Sequence, residues 1–132
     1  MAKRSTQRST TAKRRAAVVD LDVERQRRRR EVAERRVRSV LEENRAALGR
    51  LFATGLIFTH QGSRAGRDLL LSHQALLRVA DLFAQLREGG RGDDIGLKVR
   101  AEQAFATLDE QLKRSSDLTA RAGEFLSGRG RE

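Results

Sequence analysis

The stretch VRSVLEENRAALGRLFATGLIF, residues 37–58, decides the fold class of the chain. Apolar side chains recur in it every three or four residues, as at Val37, Leu41, Leu48 and Leu51. This spacing gathers them on one face of an α-helix. Elsewhere no segment alternates strictly between apolar and polar residues, as a half-buried strand would. The sequence therefore predicts an all-α protein.

Two glycine-containing segments divide the helical pattern of a chain that has no proline. HQGSRAGR, residues 60–67, is interpreted as a turn, and REGGRGDDIG, residues 87–96, as a loop. The predicted helices run over about 20–59, 67–87 and 94–126, which makes His60 the end of the first helix. Short connections between amphipathic helices predict an antiparallel three-helix bundle over residues 20–127. Its first helix is long, basic and coiled-coil-like.

The two ends of the chain differ from this pattern. Residues 1–17 are polar, rich in serine and threonine, basic and without an apolar period, so a disordered basic tail is predicted over 1–19. Asp20 or Asp22 suits the start of the first helix, because an acidic side chain there caps free amides and opposes the helix dipole. Asp93 or Asp94 suits the start of the third helix, and residues 128–132 are expected to fray.

The positive charge is concentrated at the front of the chain. The net charge is +10, and residues 1–38 carry fourteen basic against five acidic side chains. Thus +9 of the surplus lies before Ser39, while the remainder is almost neutral. Such an asymmetry is typical of a basic arm that meets a polyanion. The predicted polyanion-binding residues are Lys3, Arg4, Arg8, Lys13, Arg14, Arg15, Arg25, Arg27, Arg28, Arg29, Arg30, Arg35, Arg36 and Arg38.

Non-specific binding of nucleic acid through phosphate contacts is the function that this arm predicts. About six to ten neutralised phosphates would make the affinity fall steeply with salt. Stacking on single-stranded bases is not expected from the arm, because Phe52 is the first aromatic residue. The alternative is a solvated helix, held by the i,i+4 pairs Glu24–Arg28, Glu31–Arg35 and Glu34–Arg38, with a solubilising tail.

A second hypothesis is a protein-interaction adaptor or coiled-coil oligomer. Its apolar helix faces would dock a partner helix or a second copy, and the arm would attach to an acidic partner or an anionic membrane surface. Insertion into a membrane is disfavoured, because the arm lacks an apolar face. No cofactor, metal or small-molecule substrate is suggested, and the chain is predicted not to be an enzyme.

The absence of cysteine and of long apolar stretches bears on the redox chemistry and the cellular compartment of the protein. There is no cysteine, which excludes disulfides and thiol chemistry, and no apolar stretch is long enough to cross a bilayer. The basic N-terminus also lacks the apolar core of a signal peptide. A cytoplasmic protein is expected.

Two polar residues within apolar stripes each allow two interpretations. Ser72-His73, preceded by leucines, loosely resembles the phospho-acceptor box of histidine kinases, although Gln74 stands where an acid is expected. A structural histidine is the more common outcome at such a position. For Asn44, one interpretation is that it fixes the register or the oligomeric state of a helical seam. The other is that it lies at the edge of the apolar stripe and contacts water.

Overall fold

The computed structural model describes residues 2–88 and 95–128, with the side chains of residues 13–15, 17, 18, 20–88 and 95–128. Helix α1 spans Ala2–Ala53, α2 spans His60–Arg87 and α3 spans Ile95–Gly128, and a 3-10 helix covers Leu56–Phe58. Over these residues no strand is present, so the all-α prediction is confirmed. The predicted caps Asp93 and Asp94 lie outside the described residues.

The chain divides into two compact units, residues 1–32 and 33–132. The first unit is helical from Ala2, so the observed helix includes residues 2–19, which the sequence predicts as a disordered tail. Asp20 and Asp22 lie inside α1 instead of capping it. The backbone permits this extension, because residues 2–32 contain neither proline nor glycine.

The connection between α1 and α2 differs from the prediction. Helix α1 ends at Ala53 and not near residue 59, and Gly55 follows it with a φ of 74°, in the left-handed region that glycine adopts readily. Thr59 then caps α2, since its Oγ1 accepts a hydrogen bond of 3.0 Å from the amide of Gly62. The predicted turn over residues 60–67 is therefore wrong, and His60 begins a helix instead of ending one.

Gly62 and Gly66 are buried in the first turns of α2 because the 3-10 helix passes very close to them. A Cβ atom built on Gly62 would overlap the carbonyl group of Leu56, which is backbone. At Gly66 it would overlap the flexible end of Ile57. The glycines that suggested a turn in the sequence instead permit a close contact within the fold.

The second unit is the predicted bundle, with α2 antiparallel to α1 and α3. Arg87 near the end of α2 forms an ion pair of 3.3 Å with Glu34 of α1, while Gly66 near its start adjoins Leu51. Two hydrophobic clusters fill this unit. The first contains Ala33, Val37, Leu41, Leu76, Val79, Phe83, Ala104, Leu108 and Leu112, and the second contains Ala47, Leu51, Leu56, Leu69 and Ala122.

A buried polar group lies along α1 between the residues of these two clusters. Asn44 is fully buried, and its Nδ2 donates a hydrogen bond of 2.6 Å to the Oγ of Ser115 on α3. The hydroxyl of Thr119 donates to the Oδ1 of Asn44 at 2.7 Å. Both halves of the Asn44 amide are thus satisfied inside one chain. We call these three residues the Asn44 network.

Candidate polyanion-binding surface

The described cations of the first unit belong to one helical segment, residues 13–32, which we call the basic segment. It holds eight basic and four acidic side chains. Seven of the eight basic residues are exposed, namely Lys13, Arg14, Arg15, Arg25, Arg27, Arg28 and Arg29, and Arg30 is partly buried. A long helix displays these side chains around its circumference. The segment is therefore a concentrated source of positive potential.

One acidic residue of the basic segment is engaged by two arginines. Arg27 donates a hydrogen bond of 2.5 Å to the Oε1 of Glu24, and Arg28 donates one of 3.2 Å to the same oxygen. The hydrogen bond from Arg27 is the main reason why the pKa of Glu24 is lowered. The predicted pair Glu24–Arg28 is confirmed. Two positive side chains share one carboxylate here, so the cluster keeps a net positive charge.

The remaining described cations of the prediction lie at the start of the bundle. Arg35 and Arg38 are exposed. Arg36 is about half exposed and forms an ion pair of 2.7 Å with Asp109 of α3. Arg36 therefore also links two helices, a role that its position in an arginine-rich run did not reveal. The side chains of Lys3, Arg4 and Arg8 lie outside the described ones.

Charge is divided unequally between the two units. Residues 1–32 carry eleven basic and four acidic side chains, whereas residues 33–132 carry seventeen and fourteen. The first unit thus holds +7 of the net +10 in about a quarter of the chain. Electrostatic attraction to a polyanion is concentrated where the charge per length is greatest.

His73 lies in the interior of the bundle, with only 8% of its surface exposed. Burial lowers the pKa of its imidazole, and the positive charge of Arg45 lowers it further. Both effects favour the neutral form of the ring, and its buried Nδ1 has no hydrogen-bond partner among the described atoms. These surroundings favour the structural interpretation of His73, because a phospho-acceptor must be accessible to its phosphate donor.

The Asn44 network was only partly visible in the sequence. The sequence shows that Asn44 is a polar residue within an apolar stripe, but it does not identify the two partners of Asn44 on α3. The sequence does contain one signal for them: Ser115 and Thr119 are four residues apart and lie between Leu112 and Ala122, two apolar residues of α3 that are buried. The interpretation in which Asn44 touches water is wrong, because the side chain is fully buried.

The described residues form neither a metal site nor a membrane-spanning helix. Among residues 2–88 and 95–128, no group of histidine and acidic side chains is placed to hold a metal ion. No described helix has an apolar stretch sufficient to cross a membrane. In comparisons with known proteins, the chain matches no family model, no curated protein sequence and no solved structure.

Proposed function

We propose that the protein is a non-enzymatic helical scaffold that binds nucleic acid through phosphate contacts made by its basic segment. The observation that carries this proposal is the display of seven exposed basic side chains within residues 13–32. Counterion release on neutralising phosphates supplies affinity without any reading of base sequence. The cytoplasmic location expected from the sequence belongs to this proposal, because the protein must share a compartment with its nucleic acid.

Removal of three exposed arginines from the basic segment tests the proposal. For Arg14→Gln/Arg15→Gln/Arg25→Gln we expect at least roughly tenfold weaker binding to a labelled DNA duplex at low salt. The slope of log affinity against log salt should become shallower by up to about three units, because each lost phosphate contact removes nearly one. Fluorescence anisotropy over a salt series measures both quantities.

A matched control removes the same charge from the bundle. Arg64, Arg78 and Arg114 are exposed residues of the second unit, and their replacement by glutamine lowers the net charge equally. We expect this control to retain most of the affinity and of the salt dependence. Equal losses in both triple variants would show that overall charge, and not the basic segment, governs binding.

Self-association is a second candidate, favoured by leucines that the bundle leaves exposed. Leu70 and Leu77 are 45% and 43% exposed and lie seven residues apart, on one face of α2. Such a spacing suits packing against the same helix of a second copy. We therefore propose that α2 contributes to a homodimer, as an addition to nucleic-acid binding.

Sedimentation velocity at micromolar concentration tests the dimer. We expect the wild-type protein to associate and Leu70→Gln/Leu77→Gln to sediment as a monomer, while Leu71→Gln, which changes an exposed leucine on a different face, behaves as the wild type. A monomeric wild-type protein would refute the proposal.

A further inference from the structure

One face of the basic segment combines arginine with aliphatic residues and contains no acid. With 3.6 residues per turn, a sector roughly 100° wide holds seven of the residues 13–32. These are Arg14, Val18, Leu21, Arg25, Arg28, Arg29 and Val32, which we call the arginine–aliphatic face. Asp20 and Glu31 lie on the opposite side of the helix, whereas Asp22 and Glu24 lie just beyond the two edges of the sector, where Glu24 pairs with Arg28. No acid lies within the sector itself, and two acids border it.

The aliphatic members of the arginine–aliphatic face are open to solvent. Val18 is 56% exposed, Leu21 is 57% exposed and Val32 is 48% exposed. Binding to phosphates alone does not require apolar side chains between the arginines. Their interleaving instead fits a ligand that presents phosphates and apolar groups within the width of one helix.

The major groove of B-form DNA presents both kinds of group. It is about 12 Å wide and admits an α-helix, with phosphates along its walls and the methyl groups of thymine on its floor. Arg14 and Arg29 are about 22 Å apart along the helix axis at 1.5 Å per residue, which corresponds to between about six and seven base pairs. Arginines along the face can therefore reach phosphates while the aliphatic side chains between them meet base edges.

Other polyanions match the face less well. The major groove of an RNA duplex is too deep and narrow for side chains to read, and binding to single strands relies on aromatic residues, which are absent from the basic segment. In helices that lie on membranes, the cations occupy the polar face and the apolar residues the other. Here the two kinds of residue share one face.

On these grounds we propose that the arginine–aliphatic face lies in the major groove of double-stranded DNA. This inference rests on the proposed function and narrows its ligand from nucleic acid in general to the B-form duplex. The arginines contact the phosphates, and Val18, Leu21 and Val32 contact the floor of the groove. Asp20 and Glu31 face away from the DNA, and Asp22 and Glu24 lie at the rims of the groove-facing sector.

A charge-neutral pair of variants of the full-length protein tests the orientation. Leu21→Gln changes the arginine–aliphatic face, whereas Val23→Gln changes an aliphatic residue that is 63% exposed and lies on another side of the helix. We expect Leu21→Gln to weaken duplex binding on the order of tenfold, as the loss of one buried aliphatic side chain would. Val23→Gln should bind as the wild type, and both should keep the wild-type salt slope.

Competition among polyanions for binding to the wild-type protein tests the ligand class. We expect a DNA duplex to compete at least about tenfold better than an RNA duplex of the same sequence, the single strands, or vesicles of phosphatidylserine and phosphatidylcholine. Equal competition by the RNA duplex, stronger competition by vesicles, or equal behaviour of Leu21→Gln and Val23→Gln would overturn the groove proposal. Those results leave phosphate binding intact, whereas failure to bind any of these polyanions removes both proposals.

Discussion

Gly62→Ala is expected to destabilise the bundle by more than about 2 kcal/mol, the upper range for an overpacked core. The new methyl group would overlap the carbonyl of Leu56, and a backbone group cannot move aside as a side-chain end can. Relief requires the 3-10 helix to separate from α2, which would also disturb Leu56 in the second hydrophobic cluster. Urea unfolding followed by circular dichroism measures the change in free energy of unfolding.

Two other glycines provide controls for this prediction. In Gly66→Ala the added methyl group would overlap only the flexible end of the Ile57 side chain and would lie in ordinary contact with Leu51, so its cost should be smaller. Gly49 lies inside α1 with nothing within 4 Å of an added Cβ, and its replacement by alanine should stabilise the protein by about 0.5–1 kcal/mol. An unchanged stability of Gly62→Ala would contradict the close contact between α2 and the 3-10 helix.

Asn44→Ala is expected to lower the free energy of unfolding by about 2–4 kcal/mol. The substitution removes two hydrogen bonds, leaves the hydroxyls of Ser115 and Thr119 without the amide, and opens a cavity in the interior. Equilibrium unfolding in urea gives the loss, and the double variant Asn44→Ala/Ser115→Ala gives the coupling between the two side chains.

Replacing the whole Asn44 network by apolar residues separates its effect on stability from its effect on the register of the helices. The triple variant Asn44→Leu/Ser115→Ala/Thr119→Val leaves no polar partner behind, so we expect it to recover most of the stability that Asn44→Ala loses. We also propose that the Asn44 network fixes the register of α1 against α3, so we expect the triple variant to show broader NMR signals. A cost for Asn44→Ala below about 0.5 kcal/mol would contradict the observed hydrogen bonds.

Local patterns were sufficient to predict much of the fold. The apolar spacing around Leu41 and Leu51 predicts α1 of the bundle, and the third helix predicted over about 94–126 matches α3 nearly to its ends. The connection at residues 54–60 could not be predicted in this way. Gly62 looks like a helix breaker in the sequence, and only its contact with Leu56 shows why a helix needs glycine there.

The candidate site was predictable in its residues but not in its organisation. Charge is carried by the sequence itself, so the cationic residues of the basic segment could be named directly. Which of them share a face depends on the helix continuing through residues 13–32, a range in which the sequence predicted a tail up to residue 19. The pairing of Arg36 with Asp109 joins residues far apart in the chain and has no local signature.

Salt-dependent binding of the unmodified protein to several unrelated DNA duplexes tests the central claim most directly. We predict that log affinity falls linearly with log salt, with a common slope between roughly −5 and −9, as about six to ten phosphate contacts produce. No binding to any duplex in low-salt buffer would contradict the claim that the basic segment binds nucleic acid.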